Sequence, residues 1–227
     1  MNQAFIKQAA ALLAASAALA LAGNAAAQSA GQFTAKVGVG KITPKVESGD
    51  VSAPALPGSK VAVASDTQPV LIFAYGVTDN FSTELALGLP YKHKLSGDGA
   101  IAGTGQLGTV QSLPPSLFAQ YRFFTPDTMV RPFVGLGATY AYFRKETGSG
   151  QLTSILNTGG PGVSFHIKNK VAPTIQAGVA VNINPKWFVD FTVTKTYLKT
   201  DTYYSTGQTQ HVVLDPVGLI LAVGYKF

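Results

Sequence analysis

Three histidines, His93, His166 and His211, and two carboxylates, Asp98 and Asp201, are the residues with which this chain could bind a metal or move protons on the rim of a fold. A metal site needs ligands at characteristic spacings, and a His/Asp hydrolase needs a nucleophile within reach of an oriented base. Neither a ligand spacing nor a nucleophile motif is present. Cysteine is absent, which removes thiolate metal sites, cysteine chemistry and a disulfide framework. The chain therefore reads as no enzyme, with no cofactor and no metal, and its histidines read as solvated groups of loops.

A second set of polar residues is more informative, because its meaning depends on the elements that carry it. Lys36, Glu84, Arg122, Arg131 and Asp190 each fall within apolar, alternating segments. Such segments occur at about Gln32 to Thr43, Pro69 to Val77, Phe81 to Lys92, Val110 to Phe123, Arg131 to Phe143, Val171 to Ile183, Trp187 to Lys199 and Val212 to Phe227. The last is the clearest: Leu219, Leu221, Val223, Tyr225 and Phe227 share one face, and Gly218, Ala222, Gly224 and Lys226 the other. An apolar outer face with small and polar residues behind it fits lipid outside and a packed lumen inside.

The connections sort into two kinds. Thr78-Asp79-Asn80, the stretch from Thr125 to Val130, and Asn184-Pro185-Lys186 are tight turns, whereas the other links are long and rich in Gly, Ser, Thr and Pro. The sequence thus predicts an all-β fold: an eight-stranded antiparallel up-and-down transmembrane β-barrel with long extracellular loops, short periplasmic turns and both termini in the periplasm. Upstream, Lys7, the Ala/Leu-rich stretch from Ala9 to Leu21, and Ala25-Ala26-Ala27 before Gln28 make residues 1–27 a cleaved signal peptide and 28–227 the outer-membrane barrel. No later stretch is apolar enough for a spanning helix. A net charge of +6 raises nucleic acid as a partner, but the basic residues are scattered through loops and strand ends. Nucleic-acid binding is set aside.

Together several segments resemble the outer membrane protein W (OmpW) family. They are Tyr75 to Asn80, Leu113-Pro114-Pro115 followed by Ala119-Gln120-Tyr121, Arg131 to Gly137, and Leu214-Asp215-Pro216 with the terminal strand. Ile167 to Pro173, Gln176 to Val179, and Trp187 followed by Lys199-Thr200-Asp201 resemble the alkane-uptake, AlkL-like branch in particular. The chain departs from the family at Val171, where Trp is usual, and in lacking a Trp near the start of its first strand. The resemblance implies a monomer in the outer membrane of a Gram-negative bacterium that helps small hydrophobic molecules across. Its partners would be outer-membrane lipid and lipopolysaccharide, small hydrophobic ligands, and the barrel-assembly machinery through the C-terminal strand.

The residues can be asked the same question independently. An eight-stranded barrel is just wide enough for side chains to fill, or for one small ligand, so it is no general porin. The five charged residues all map to the periplasmic half of the lumen, where a paired network would close the barrel; Glu84 with Arg122 is the first pairing expected, from adjacent strands. Above them Ile72, Ala74, Gly88, Phe118 and Ile220 line an apolar upper lumen, which suits either an apolar guest or plain packing. Pro90, Pro114 and Pro115 lie on neighbouring strands and cannot donate to a ladder, so their seam is a candidate lateral window into the bilayer. Val61 and Val63 are expected to fold inward over the mouth, and Leu152, Ile155 and Leu156 to form a short amphipathic helix. Trp187, Tyr225 and Phe227 are membrane-interface anchors at the lower edge, with Tyr91, Phe143 and Tyr197 at the upper. Two main function classes remain open: a passive conduit for hydrophobic compounds, and a structural or receptor barrel acting through its loops. A narrow ion channel is the third.

Overall fold

The computed structural model describes residues 29–227, so the signal-peptide expectation for residues 1–27 lies outside the described residues. In chain order the strands are β1 (Phe33–Thr43), β2 (Glu47–Ser48), β3 (Ser59–Val63), β4 (Asp66–Gly76), β5 (Phe81–Gly88), β6 (Tyr91–Gly99), β7 (Gln106–Leu113), β8 (Ser116–Arg122), β9 (Val130–Gly148), β10 (Phe165–Ile167), β11 (Lys170–Asn182), β12 (Trp187–Thr196), β13 (Lys199–Tyr204), β14 (Thr209–Val213) and β15 (Val217–Lys226). A short helix, α1 (Gly150–Leu156), lies between β9 and β10.

Eight of these strands close the wall in the order β1, β4, β5, β8, β9, β11, β12, β15 and back to β1, every neighbour antiparallel. Alternation produces the expected two faces. Leu117, Val134, Leu136, Phe191, Leu219, Leu221 and Val223 stand exposed on the outside, while Lys36, Ile72, Phe118, Phe133, Phe188 and Ala222 are buried inside. The outward faces are apolar because lipid is their solvent. Closure of the ladder satisfies the backbone groups that hydrocarbon could not.

The structure differs from the sequence reading at the extracellular end. The links read as loops continue the wall upward: β9 runs past its pairing with β8 to pair with β7, β7 pairs with β6 and β6 with β3. Opposite them β10, β13, β14 and β2 form a separate four-stranded sheet. The two walls enclose an apolar core containing Val61, Leu95, Leu107, Leu152, Phe165, Ile167, Val212 and Leu214, and Val63 packs against it. Val61 and Val63 therefore point inward as expected. The helix forms as well: Ser149 Oγ accepts from Leu152 N at 3.2 Å, Leu152 is buried, and Asn157 ends the helix.

One corner of the wall changes parity. Inward residues on β5 are even-numbered (Ser82, Glu84), but on β6 they are Tyr91, His93 and Leu95, because Leu89-Pro90 interrupts the strand. Tyr91 consequently faces the interior, and so does Phe143, at 4% and 7% exposure, and not the upper lipid girdle expected from sequence. Phe143 shares the parity of Arg131 and Phe133 on the uninterrupted β9. The outward upper aromatics are Tyr140 and Tyr142, stacked at 6.2 Å, and Tyr197.

Candidate functional site

The lower lumen is filled by polar groups in mutual contact. Lys36 Nζ on β1 lies 2.6 Å from Glu84 Oε2 on β5 and 3.1 Å from Asp190 Oδ2 on β12, and all three residues are buried. Thr192 Oγ1 donates to the other Asp190 oxygen at 2.7 Å. Glu84 thus takes a partner two strands away, through the lumen, since inward side chains of a narrow barrel converge on its axis. Arg122 lies over the Phe133 ring at 5.0 Å and donates from Nε to Ser82 Oγ and from Nη2 to Gln120 Oε1, at 3.2 and 2.8 Å. Arg131 sits at the periplasmic edge, where Nη2 donates to Asp79 O at 2.6 Å and Nε to Phe123 O at 3.3 Å. Buried charges persist only when compensated: Lys36, Glu84 and Asp190 are so as ion pairs, and Arg122 and Arg131 are held by the hydrogen bonds given.

Above it the lumen opens into a cavity with an empty volume of about 1130 Å³, its open mouth included. Gly88, Phe118 and Ile220 line it. Ile72 and Ala74 also face inward, but they lie beneath it: Ile72 is cross-strand partner to Lys36, and Ala74 lines a small lower pocket with Arg122. Sequence reasoning missed much of the lining. Val110, Ala141, Phe143, Leu198 and Leu214 supply apolar surface, while Tyr91, His93 and Ser112 make a polar corner. A second chamber lies above, with an empty volume of about 500 Å³ that includes its opening to solvent, and Val63, Leu95, Ile167 and Leu214 line both.

The histidines separate. His166 and His211 are exposed beside Glu146 and Asp201, at 3.2 and 2.8 Å. His93 is no loop residue: it lies on β6, 4% exposed, with Nδ1 2.7 Å from Ala64 O and Nε2 3.1 Å from Ser112 Oγ. A carbonyl cannot donate, so Nδ1 carries the proton and Nε2 accepts from Ser112. Burial pushes the His93 imidazole below its ordinary pKa. Among the described residues no cluster could hold a metal ion.

The proline seam is open on one side only. The β5–β8 ladder ends at Ala86 with Ser116, and the β6–β7 ladder resumes at Tyr91 with Ser112, leaving Leu87 to Pro90 and Leu113 to Pro115 unpaired across the seam. Each side keeps its other neighbour: Leu87 and Gly88 pair with β4, Leu113 pairs with Tyr142, and Pro115 O accepts from Tyr140 N at 2.9 Å. Leu87 is 37% exposed on the outer face, yet it also lines the cavity, together with Pro114. Pro90 and Pro115 flank the same gap.

At the lower edge Trp187, Tyr225 and Phe227 form an edge-to-face chain at 4.9 and 5.0 Å on the outer face beside the periplasmic turns, Trp187 exposed and the other two half-buried. Phe81, Tyr121 and Phe123 make a similar chain, each contact at 5.1 Å. Residues 29–227 match the OmpW family throughout. The chain belongs to the OmpW family. Outer membrane protein W of Salmonella typhimurium is 34% identical over 212 residues, spanning 91% of this chain and 93% of that protein. Outer membrane protein AlkL of Ectopseudomonas oleovorans is 28% identical over 202 residues, spanning 87% and 83%. The crystal structure of the outer membrane protein OprG of Pseudomonas aeruginosa superposes with a TM-score of 0.78 at 25% identity, covering 88% of this chain and 97% of that one. This OmpW-family chain is an eight-stranded outer-membrane barrel of a Gram-negative type, and its relatives are named as outer membrane proteins.

Proposed function

We propose that this barrel passively transfers small hydrophobic molecules from the external medium through its upper chambers and sideways into the bilayer. The observation that carries this reading is the cavity itself. It is lined largely by apolar side chains, shares Val63, Leu95, Ile167 and Leu214 with the chamber above and reaches Leu87 on the outer wall, while a polar layer lies below it. An apolar solute gains nothing by crossing that layer into water, whereas passage between Leu87-Pro90 and Leu113-Pro115 delivers it to hydrocarbon. The unpaired seam supports a lateral exit there, because a guest would not have to break ladder hydrogen bonds to pass. The similarity to AlkL agrees with the alkane-uptake branch that the sequence resembles.

The test is initial uptake of a radiolabelled medium-chain alkane by cells with and without the protein, with a small sugar as the polar control. Faster alkane entry with unchanged sugar entry is the expected result. Unchanged alkane entry at normal outer-membrane protein levels would favour a structural or receptor barrel. For the exit, replacing Pro90 and Pro114 by Thr restores two backbone donors at the seam; alkane entry is expected to fall if the window is the route, and undiminished entry would sink the lateral step.

A further inference from the structure

Building on the conduit reading, we propose that the cavity selects hydrophobic guests that carry an acceptor oxygen, such as a medium-chain ketone, over plain hydrocarbons, and that the Tyr91 hydroxyl reads that oxygen.

Ser116, Thr139, Thr174 and Thr196 form a belt across four strands, with oxygen separations of 2.8, 2.7 and 3.0 Å. Each hydroxyl has one proton to give. With the Ser116 proton given to Pro114 O, 3.1 Å away, Thr139 donates to Ser116, Thr174 to Thr139 and Thr196 to Thr174, and every hydroxyl of the belt, in this sense or the reverse, has a partner within the belt. The polar corner behaves the same way: His93 donates to Ala64 O, and Ser112 donates to His93.

Tyr91 is different. It is 4% exposed and lines the cavity, yet its hydroxyl makes no hydrogen bond among the described residues. The phenol reaches across the lumen to β1, where Gly40 leaves room for it: a Cβ at Gly40 would lie 2.7 Å from the Tyr91 oxygen. Thr194 repeats the arrangement. It lines the cavity with its hydroxyl over Gly218, again without a partner among the described residues. The lining therefore offers two hydroxyl groups without a partner among the described residues, in a chamber whose other hydroxyls are hydrogen-bonded to one another or to His93. A hydrocarbon seated there leaves both unpaired, whereas a guest with an acceptor oxygen satisfies one of them, and a site with a buried donor discriminates against analogues that lack the acceptor.

The experiment uses the folded chain in lipid nanodiscs and radiolabelled 2-decanone and n-decane, with empty nanodiscs subtracted. In Tyr91→Phe the ketone-to-alkane binding ratio is expected to fall by roughly fivefold to tenfold with decane binding unchanged, since one neutral hydrogen bond is removed and the ring kept. Thr194→Val should lower the ratio less. Infrared spectra of carbonyl-labelled 2-decanone supply a readout on the unmutated chain: its stretch should shift to lower frequency when bound. Should both probes bind but the ratio survive in Tyr91→Phe, or the bound carbonyl show no shift, the acceptor selectivity is refuted and the conduit stands. Absence of binding by either probe refutes both.

Discussion

The lower and upper halves of this lumen are built on the same eight strands with the same alternation, yet one is filled with charge and the other is open and mostly apolar. Lys36 and Gly40 stand on the same face of β1, four residues apart; the first sits between two buried carboxylates and the second makes space for a phenol. The wall therefore does not decide what the barrel contains. What decides it is side-chain length at each inward position: long charged groups meeting at the axis close the bore, and glycine, serine and threonine above them leave it open.

The largest effect should come from breaking the lower half. Lys36→Met leaves Glu84 and Asp190 buried without their shared cation, a loss of roughly 3 to 5 kcal/mol, measured as a lower midpoint of unfolding in urea. Adding Glu84→Gln and Asp190→Asn to the same chain should recover most of it, whereas equal stability of Lys36→Met and the parent would show that the layer is not electrostatically coupled.

The contrast sharpens when the upper half is made to resemble the lower. Ala141→Phe adds a large inward side chain to the cavity lining, and hydrophobic uptake should drop by about tenfold, with overpacking strain of about 1 to 3 kcal/mol. Loss of folded protein without selective loss of uptake would assign Ala141 to stability alone.

Much of this architecture was legible in the sequence because a lipid-facing strand advertises itself at every second residue. The eight wall segments follow from that parity and the three tight turns from their composition, and Lys36, Glu84, Arg122, Arg131 and Asp190 stand at buried positions of the wall. The extracellular sheet was not legible, since Gly97, Gly99, Gly103 and Gly105 near the β6–β7 turn resemble loop composition, and its pairing depends on partners distant in sequence. Tyr91 and His93 were misplaced for a sharper reason: the break at Leu89-Pro90 shifts the count by one, and a pattern of period two carries no memory across such a break. The Lys36 bridge escaped because neighbour-strand logic does not reach across a lumen.

Smaller effects probe the boundary between the halves. Thr139→Val interrupts the hydroxyl belt at its second member and should cost about 1 kcal/mol in chemical denaturation, with little change in hydrophobic uptake. An equal loss of uptake would give the belt a part in binding. Smallest is the pH response of His93. Its folded pKa lies below the ordinary 6.5, so the neutral ring's contribution is fully present above 6.5 and is lost as pH falls through the folded value. A nuclear magnetic resonance titration that places His93 above 6.5 would contradict the burial and hydrogen bonding described for it.

The pairing of β1 with β15 has a consequence for how the protein comes into being. Thr34 meets Lys226, and Phe227 N donates to Phe33 O at 2.9 Å, so the wall is joined by its first strand and its last. That ladder has the longest sequence separation in the sheet, and such contacts form late because the loop they close is largest. Until the final strand is available, β1 presents an unpaired edge that neither water nor lipid leaves alone. A barrel lacking β15 is therefore open on two edges, those of β1 and β12, and the arrival of that one strand sets the moment at which the wall can be sealed.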